Sequence, residues 1–199
     1  MKDKKIVVFV KNAVPGKVKT RLAKTIGDDK ALKVYLKLLE ITKREVLKVD
    51  AIKEVWYAWD IGKDDIWDEG FFAKRIQSDG DLGEKMKHTF KHSFKNGCNK
   101  MVLIGSDCPT LTSEIMEEAF DKLNENDVVF GPSEDGGYYL IGMSSYKPEV
   151  LEDIDWSTEK VMEQTEKKAE KNNISLAKLE SLNDIDNEQD WEEYLASLN

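Results

Sequence analysis

Long apolar runs, proline and cysteine are all scarce in this chain of 199 residues. No apolar run approaches the roughly 18 residues that a membrane-spanning helix needs. The five apolar residues before Lys11 are fewer than the roughly 7–15 of a secretory signal. The four prolines and twelve glycines form no linker, and the chain has no repeat or low-complexity tract. We therefore expect a single domain over residues 1–199, located in the cytoplasm and without a membrane span.

The chain contains only two cysteines, Cys98 and Cys108, on either side of the strand-like segment 101–105. At about 3.3 Å per residue, this segment holds the cysteines well over about 10 Å apart. A disulfide requires Cα atoms within about 7 Å of each other. We therefore expect two reduced thiols, which agrees with a cytoplasmic location.

Positive charge is concentrated at the start of an otherwise acidic chain. Residues 1–24 contain eight Lys or Arg and one Asp, a local charge of +7, whereas the whole chain carries −9, so that the remainder carries −16. Domains that bind nucleic acids usually carry a basic face, which this acidic composition argues against. One concentrated cationic segment instead indicates a small anionic ligand, such as a phosphorylated compound.

Strand-like and helical segments alternate along the chain. The predicted strands are 6–10, 54–59, 71–77, 101–105, 128–131, 138–142 and 174–179. The predicted helices are 28–48, 82–95, 113–124, 155–171 and 188–197. This alternation predicts an α/β fold with a mostly parallel sheet that helices cover on both faces.

The basic segment after the first strand is the strongest candidate for ligand binding. Pro15 and Gly16 make a turn whose backbone amides can approach a ligand closely. Lys17, Lys19 and Arg21 alternate, so an extended backbone would point them to one side. Arg21 can hold a phosphate with two parallel hydrogen bonds. Because α/β proteins bind phosphates at the carboxyl ends of strands, we interpret this segment as a phosphate loop, with a solvated basic loop as the alternative.

Two acidic turns provide candidate catalytic groups. Asp107 lies just past segment 101–105, where a carboxylate suits Mg²⁺ or Mn²⁺, hard cations that bind carboxylates together with substrate phosphates. The alternative is that Asp107 only shapes the turn before Pro109. Asp135 precedes the glycine pair 136–137 and is a candidate second metal ligand or general base for an attacking hydroxyl. A β-turn with a side-chain hydrogen bond is the alternative for Asp135.

Other acidic pairs favour structural interpretations. Asp79 and Asp81 have the metal-binding form D-x-D, but Asp81 is well placed to cap the following helix. Asp184 and Asp186 form a second such pair, and Asp186 with Gln189 has the form of a capping box. We therefore expect both pairs to cap helices.

An ordered set of motifs extends over nearly the whole chain. Its members are Lys-x-Lys-Thr-Arg-Leu after the first strand, Gly-Asp-Leu-Gly, Gly-Ser-Asp-Cys-Pro, Gly-Pro-x-x-Asp-Gly-Gly-Tyr-Tyr-Leu-Ile-Gly, Trp-Ser-Thr and a late Asp-Ile-Asp. The set resembles the nucleotide-diphospho-sugar transferase-like family of bacterial glycosyltransferases, which is distantly similar to molybdenum-cofactor guanylyltransferases. The resemblance implies the glycosyltransferase-A fold, a three-layer α/β/α sandwich with a Rossmann-like, mostly parallel mixed sheet.

The resemblance also implies roles for particular residues. Asp107 would sit at the position of the divalent metal, Mg²⁺ or Mn²⁺, and Arg21 and Asp135 are the candidate catalytic residues. The candidate nucleotide-binding residues are Lys11, Gly16, Lys17, Lys19, Thr20, Arg21, Gly80, Asp81 and Gly83. The candidate residues on the acceptor side are Gly136, Gly137, Tyr138 and Trp156. Trp156 stands in Trp-Ser-Thr, at the start of a predicted helix, where a core tryptophan is the alternative.

Three functions fit these motifs. The first is a metal-dependent glycosyltransferase that takes a sugar from a nucleotide-sugar donor and passes it to a small-molecule acceptor. The second is a nucleotidyltransferase that transfers NMP from an NTP to a phosphorylated acceptor, with Arg21 stabilising charge at the reacting phosphorus. The third is a non-catalytic nucleotide-sugar sensor, which needs the cationic loop but neither a metal nor a base.

Overall fold

A computed structural model of the chain describes residues 4–198, so that residues 1–3 and 199 of the predicted domain lie outside the described range. Within that range the strands are β1 (Lys4–Val10), β2 (Ile52–Tyr57), β3 (Phe72–Ile76), β4 (Lys100–Ile104), β5 (Val128–Pro132), β6 (Tyr138–Met143) and β7 (Leu176–Lys178). The α-helices are α1 (Thr20–Ile26), α2 (Asp28–Lys48), α3 (Leu82–Lys95), α4 (Ser113–Lys122), α5 (Val161–Lys171) and α6 (Glu188–Ser197), and residues Pro148–Leu151 form a 3₁₀ turn.

The seven strands form one sheet in the order β3-β2-β1-β4-β6-β5-β7. Strand β6 is antiparallel to β4 and β5, and the other neighbouring strands pair in parallel. The carboxyl ends of β1, β4 and β5 therefore share one edge of the sheet with the amino end of β6. This mixed, mostly parallel sheet confirms the predicted fold class.

Helices cover both faces of the sheet. Val8 packs in a cluster with Leu39 of α2 and Phe120 of α4 on one face. Its neighbour Val7 packs with Phe90 of α3 on the opposite face. Successive residues of a strand point to opposite faces, so a strand buried between two layers must be apolar at consecutive positions. The arrangement confirms the three-layer α/β/α sandwich.

A smaller cluster holds the carboxyl-terminal part of the described chain against α1 and α2. Leu22 of α1 and Leu38 of α2 pack with Ile185, which precedes α6, and Trp191 of α6 packs against them. Ile185 also donates its backbone N–H to the carbonyl of Asp107 over 2.9 Å. The segment before α6 is thereby held at the carboxyl end of β4.

Helix α1 is absent from the predicted helices, and two further details of the prediction are wrong. Helix α5 begins at Val161 and not at Asp155. Thr158 donates its hydroxyl hydrogen to the carbonyl of Asp155 over 2.7 Å, and Ser157 adopts a left-handed φ of 64°. Such local side-chain bonds to the backbone compete with helix formation, so segment 155–160 is a turn.

The second error concerns the cap of α6. Asn187 is the N-cap, and it forms a capping box with Asp190. Asp186 therefore lies outside the capping pair, and its side chain is available to another partner. Asp81, in contrast, caps α3 as predicted by accepting a 2.9 Å hydrogen bond from the backbone N–H of Glu84.

Both cysteines are reduced thiols, and burial raises the pKa of Cys108 to about 12. Among the helices of residues 4–198, none combines the length and hydrophobicity that are needed to cross a lipid bilayer.

Candidate active site at the carboxyl edge of the sheet

A cleft of about 620 Å³ opens where β1, β4 and β6 meet. Ligand sites commonly enclose about 300–1,000 Å³, so this space suits a nucleotide-sized molecule. The predicted residues that line it are Lys11, Lys19, Thr20, Arg21, Asp107, Asp135, Gly137, Tyr138 and Trp156. The cleft is also lined by Leu82, Ser133, Ser157, Thr158, Glu159, Val161, Asp184 and Asp186.

A tyrosine of α2 fixes the start of the basic loop. The hydroxyl of Tyr35 donates to the carbonyl of Lys11 and accepts from the backbone N–H of Lys11, each over 2.9 Å. Burial, and then the negative charge of Asp107, raise the pKa of Tyr35. The tyrosine is therefore protonated and able to donate at neutral pH, and Lys11 is held at the mouth of the cleft.

Lys19 connects three separate segments of the chain. It adopts a left-handed conformation with φ of 47° and caps the start of α1. Its ammonium group lies 2.8 Å from Oδ1 of Asp107 and donates a 2.6 Å hydrogen bond to the carbonyl of Ile185. Only 4% of the Lys19 side chain is exposed, compared with 45% of Asp107. Lys19 therefore positions Asp107, whose carboxylate stays accessible from the cleft.

The predicted alternation of three basic side chains along an extended loop is wrong. The chain turns at 15–17 and enters α1 at Thr20. Lys19 is consequently buried, Arg21 lies on the first turn of α1, and Lys17 is exposed and does not line the cleft. Arg21 forms an ion pair with Asp186 over 2.8 Å, with 70% and 41% of the two side chains exposed.

Asp184 lines the cleft, and its predicted role in capping a helix is wrong. Burial, followed by the negative charge of Asp107, raises its pKa to about 7, and Lys19 acts in the opposite direction. Asp135 and Asp186 raise it further. The carboxylates of the second D-x-D pair thus belong to the cleft and not to a helix cap. The contact between Ile185 and Asp107 brings them there.

Asp135 is held in a tight turn before β6. Its Oδ1 accepts a 2.9 Å hydrogen bond from the backbone N–H of Gly137 and a further hydrogen bond from the hydroxyl of Ser133. A Cβ atom at Gly136 would lie 2.2 Å from the carbonyl oxygen of Glu159, so this glycine permits the turn to approach segment 155–160. The turn presents Asp135 in a fixed orientation.

Trp156 forms a fixed aromatic wall of the cleft. A Cβ atom at Gly83 would lie 2.6 Å from Nε1 of Trp156, so the indole rests directly on the first turn of α3. The ring of Tyr138 meets it edge-on, with 6.4 Å between centroids. Gly83 therefore supports Trp156 instead of lining the cleft.

The remaining predicted nucleotide-binding residues lie outside the cleft. Gly16 and Lys17 belong to the turn before Lys19, and Gly80 and Asp81 precede α3. Asp81 lines a neighbouring cavity, which Trp156 also borders.

Residues 42–158 match a family described as an uncharacterized protein conserved in bacteria, DUF2064. The chain belongs to the DUF2064 family. It is also 33% identical to a candidate nucleotide-diphospho-sugar transferase from Desulfovibrio desulfuricans G20, whose crystal structure aligns with a TM-score of 0.85 over 94% of this chain and 84% of that chain. These matches confirm the resemblance to nucleotide-diphospho-sugar transferase-like proteins. No curated protein matches the chain.

More distant structures share the fold of this DUF2064 protein. A CMP:2-keto-3-deoxy-manno-octonic acid synthetase in complex with CTP is 14% identical and aligns with a TM-score of 0.55 over 98% of both chains. The Mycobacterium tuberculosis H37Rv protein Rv0371c in complex with manganese is 12% identical, with a TM-score of 0.58 over 99% of this chain and 100% of that chain. At 14% and 12% identity these two likenesses show a shared fold, and the transferase role is supported by the 33% identical candidate transferase.

The residues of the DUF2064 cleft fit a divalent metal whose remaining ligands come from a substrate and water. Among the described residues, no group of three or more His, Cys, Asp or Glu side chains forms a ready-made metal site. Mg²⁺ commonly binds one or two carboxylates, with substrate phosphates and water as its other ligands. Asp107 and Asp184 can supply these carboxylates. The negative charge of Asp107 helps to raise the pKa of Asp184, and a divalent cation relieves such repulsion.

The raised pKa of Asp184 predicts a loss of stability with rising pH. In the folded protein this pKa is about 7, above its unfolded value of about 3.9. Between these values the folded state retains a proton that the unfolded state releases, so the free energy of unfolding decreases as pH rises from about 4 to about 7. Asp184→Asn should remove this decrease. We expect it to be more stable than wild type at pH 8 by on the order of 2 kcal/mol.

Urea unfolding in EDTA at pH 4 to 8 measures this effect. Glu188→Gln, which removes an exposed carboxyl on α6, is the matched control and should retain the wild-type dependence on pH. An Asp184→Asn variant whose stability falls with pH as steeply as that of wild type would contradict the assignment.

Proposed function

We propose that the protein is a metal-dependent glycosyltransferase that uses a nucleotide-sugar donor. The observation that carries this proposal is the convergence of basic residues, the positioned Asp107 carboxylate and Asp135 in one cleft. The similarity to the 33% identical candidate nucleotide-diphospho-sugar transferase supports the same class of donor.

In this proposal Lys11 and Arg21 bind the donor diphosphate. The pair between Arg21 and Asp186 is exposed, and exposed ion pairs contribute little stability. The guanidinium group of Arg21 can therefore exchange Asp186 for a phosphate, to which it can form two parallel hydrogen bonds. Lys19, whose partners are Asp107 and Ile185, is a positioning residue and does not need to contact the donor.

Asp107 and Asp184 are the proposed holders of Mg²⁺ or Mn²⁺. When bound, such an ion neutralises charge on the diphosphate. The ammonium group of Lys19 fixes the orientation of Asp107. Asp184 must release its proton in order to bind a cation, so we expect the affinity for the metal to increase as pH rises through about 7.

Asp135 is the proposed general base. An oxygen of the acceptor hydroxyl forms a bond to C1 of the donor sugar, while the bond between C1 and the diphosphate oxygen breaks. The electron pair of that bond leaves with the nucleoside diphosphate, and the hydroxyl proton passes to the Asp135 carboxylate. The bonds from Ser133 and Gly137 to Oδ1 hold this carboxylate in place, so its other oxygen can receive the proton.

Nucleotidyl transfer is the second candidate function. It is favoured by the fold that the chain shares with the synthetase in complex with CTP. The same basic residues would then bind a triphosphate, and the reaction would release pyrophosphate instead of a nucleoside diphosphate.

Product analysis distinguishes these functions. In one set of incubations, the protein and Mn²⁺ are mixed with UDP-, GDP-, CDP-, ADP- or dTDP-sugars and a panel of acceptors. In a second set, the corresponding NTPs and sugar phosphates replace the donors and acceptors. We expect release of a nucleoside diphosphate from one donor, and none in EDTA. Pyrophosphate release from an NTP, without diphosphate release from any donor, would replace the first function by the second. Nucleotide binding without either product would instead indicate a sensor.

A further inference from the structure

Charge is divided unequally between the two sides of the cleft. Lys11, Lys19 and Arg21 all come from the side formed by the loop after β1 and the start of α1. The opposite side is formed by the turn at Asp135 and segment 156–159. Among the described residues that line that opposite side, none is a lysine or arginine. The basic side also holds carboxylates, but there Lys19 pairs with Asp107 and Arg21 pairs with Asp186, each over 2.8 Å. The side away from the proposed diphosphate position carries carboxylates without a lysine or arginine in its lining.

Negative charge also predominates in a cavity next to the cleft. Trp156 also borders a neighbouring cavity of about 420 Å³, which is lined by Asp81, Glu84, Glu152 and Asp153. Two of these carboxylates have cationic partners: Glu84 pairs with Lys87 over 2.6 Å, and Asp153 pairs with Lys168 over 2.7 Å. Asp81 and Glu152 therefore provide the excess negative charge of this cavity. An acceptor that extends past Trp156 would meet a second surface with excess negative charge.

The acceptor side offers groups that recognise hydroxyl and ammonium groups. Trp156 is held by Gly83 and Tyr138 and lines the cleft. An aromatic face packs against apolar or cationic surfaces of a ligand. The carboxylates of Asp135 and Glu159 accept hydrogen bonds from hydroxyl or ammonium groups but cannot donate any to a phosphate when ionised.

We infer that the acceptor is a neutral or cationic polyhydroxyl compound, such as a sugar or an amino sugar, and not a phosphorylated one. This inference rests on the proposed glycosyltransferase function. A phosphate on the acceptor side would face the like charges of Asp135 and Glu159, and such juxtaposition opposes binding. The negative charge selects against phosphorylated acceptors on one side of the cleft, while the basic residues select the diphosphate on the other.

Matched pairs of acceptors test the inference. Calorimetry first identifies a nucleoside diphosphate that binds in the presence of Mn²⁺. Diphosphate release from the corresponding sugar donor is then compared for glucose and glucose 6-phosphate, glucosamine and glucosamine 6-phosphate, and glycerol and glycerol 3-phosphate. In the acceptor pair that reacts best, we expect kcat/KM to be at least about tenfold higher for the unphosphorylated acceptor than for its phosphorylated counterpart.

Reversing a charge on the acceptor side provides a second test of the inference. Glu159→Lys should move the preference at least about tenfold towards the phosphorylated acceptors, without changing the Kd for the diphosphate. Glu170→Lys makes the same charge change at an exposed site on α5 outside the cleft and should leave the preference unchanged. An equal or faster reaction with phosphorylated members, or no reaction with any unphosphorylated one, would overturn the inference. If no nucleoside diphosphate binds in the presence of Mn²⁺, the proposed function itself is rejected.

Discussion

Replacing Asp107 by asparagine should lower metal-dependent release of the nucleoside diphosphate by on the order of 10²–10³-fold. Asparagine has nearly the same shape as aspartate, so the turn after β4 is retained while the negative charge is lost. Lys19 then loses its ionic partner, and the metal loses the carboxylate that Lys19 orients. Both changes weaken the neutralisation of the leaving diphosphate, so kcat should fall together with the affinity for Mn²⁺.

Steady-state kinetics over a range of Mn²⁺ concentrations measure this loss. Asp121→Asn is the matched control, because Asp121 is exposed on α4 and lies outside the cleft. Urea unfolding of each variant separates a loss of charge at the site from a loss of folded protein. An Asp107→Asn variant that retains wild-type release and metal dependence would remove Asp107 from the site.

Lys19→Met should destabilise the protein by about 2–4 kcal/mol. Methionine fills much of the same space but cannot bond to Asp107 or to the carbonyl of Ile185. Removal of one partner from a buried ion pair is costly because the other partner stays partly desolvated. Asp107 is half exposed, so we expect a smaller loss than for a fully buried pair. The segment before α6 also loses its bond to Lys19, so nucleotide affinity should decrease as well.

A double-mutant cycle with Asp107→Asn measures the interaction between the two side chains. The double variant should be less destabilised than the sum of the single variants, by at least about 1 kcal/mol. Lys24→Met, at an exposed position in the last turn of α1, is the control and should change stability by less than about 0.5 kcal/mol. A Lys19→Met variant as stable as this control would contradict the connecting role of Lys19.

The fold could be predicted well from local patterns. The apolar run 101–105 and the periodic helix 82–95 match β4 and α3 closely, because burial between layers requires those apolar positions. The predicted helix over segment 155–160 is wrong, because the hydrogen bond from the Thr158 hydroxyl to the carbonyl of Asp155 outweighs helical propensity there.

Residues of the site could be predicted only where they directly follow a strand. Asp107 reaches the cleft because it directly follows β4, and the carboxyl ends of parallel strands bind ligands. Asp184 follows β7 at some distance in sequence, and it reaches the cleft through contacts of Ile185 that no local pattern specifies. The left-handed backbone of Lys19 likewise depends on partners that are distant in the chain. The cytoplasmic location stays a prediction.

Calorimetric titration of the wild-type protein with nucleoside diphosphates tests the central claim most directly. UDP, GDP, CDP, ADP and dTDP are each titrated in Mn²⁺ and again in EDTA. If the cleft is a metal-assisted diphosphate site, at least one diphosphate binds in Mn²⁺ and its Kd rises at least about tenfold in EDTA. Absence of binding to all five, or binding of equal strength in EDTA, would contradict a metal-assisted diphosphate site.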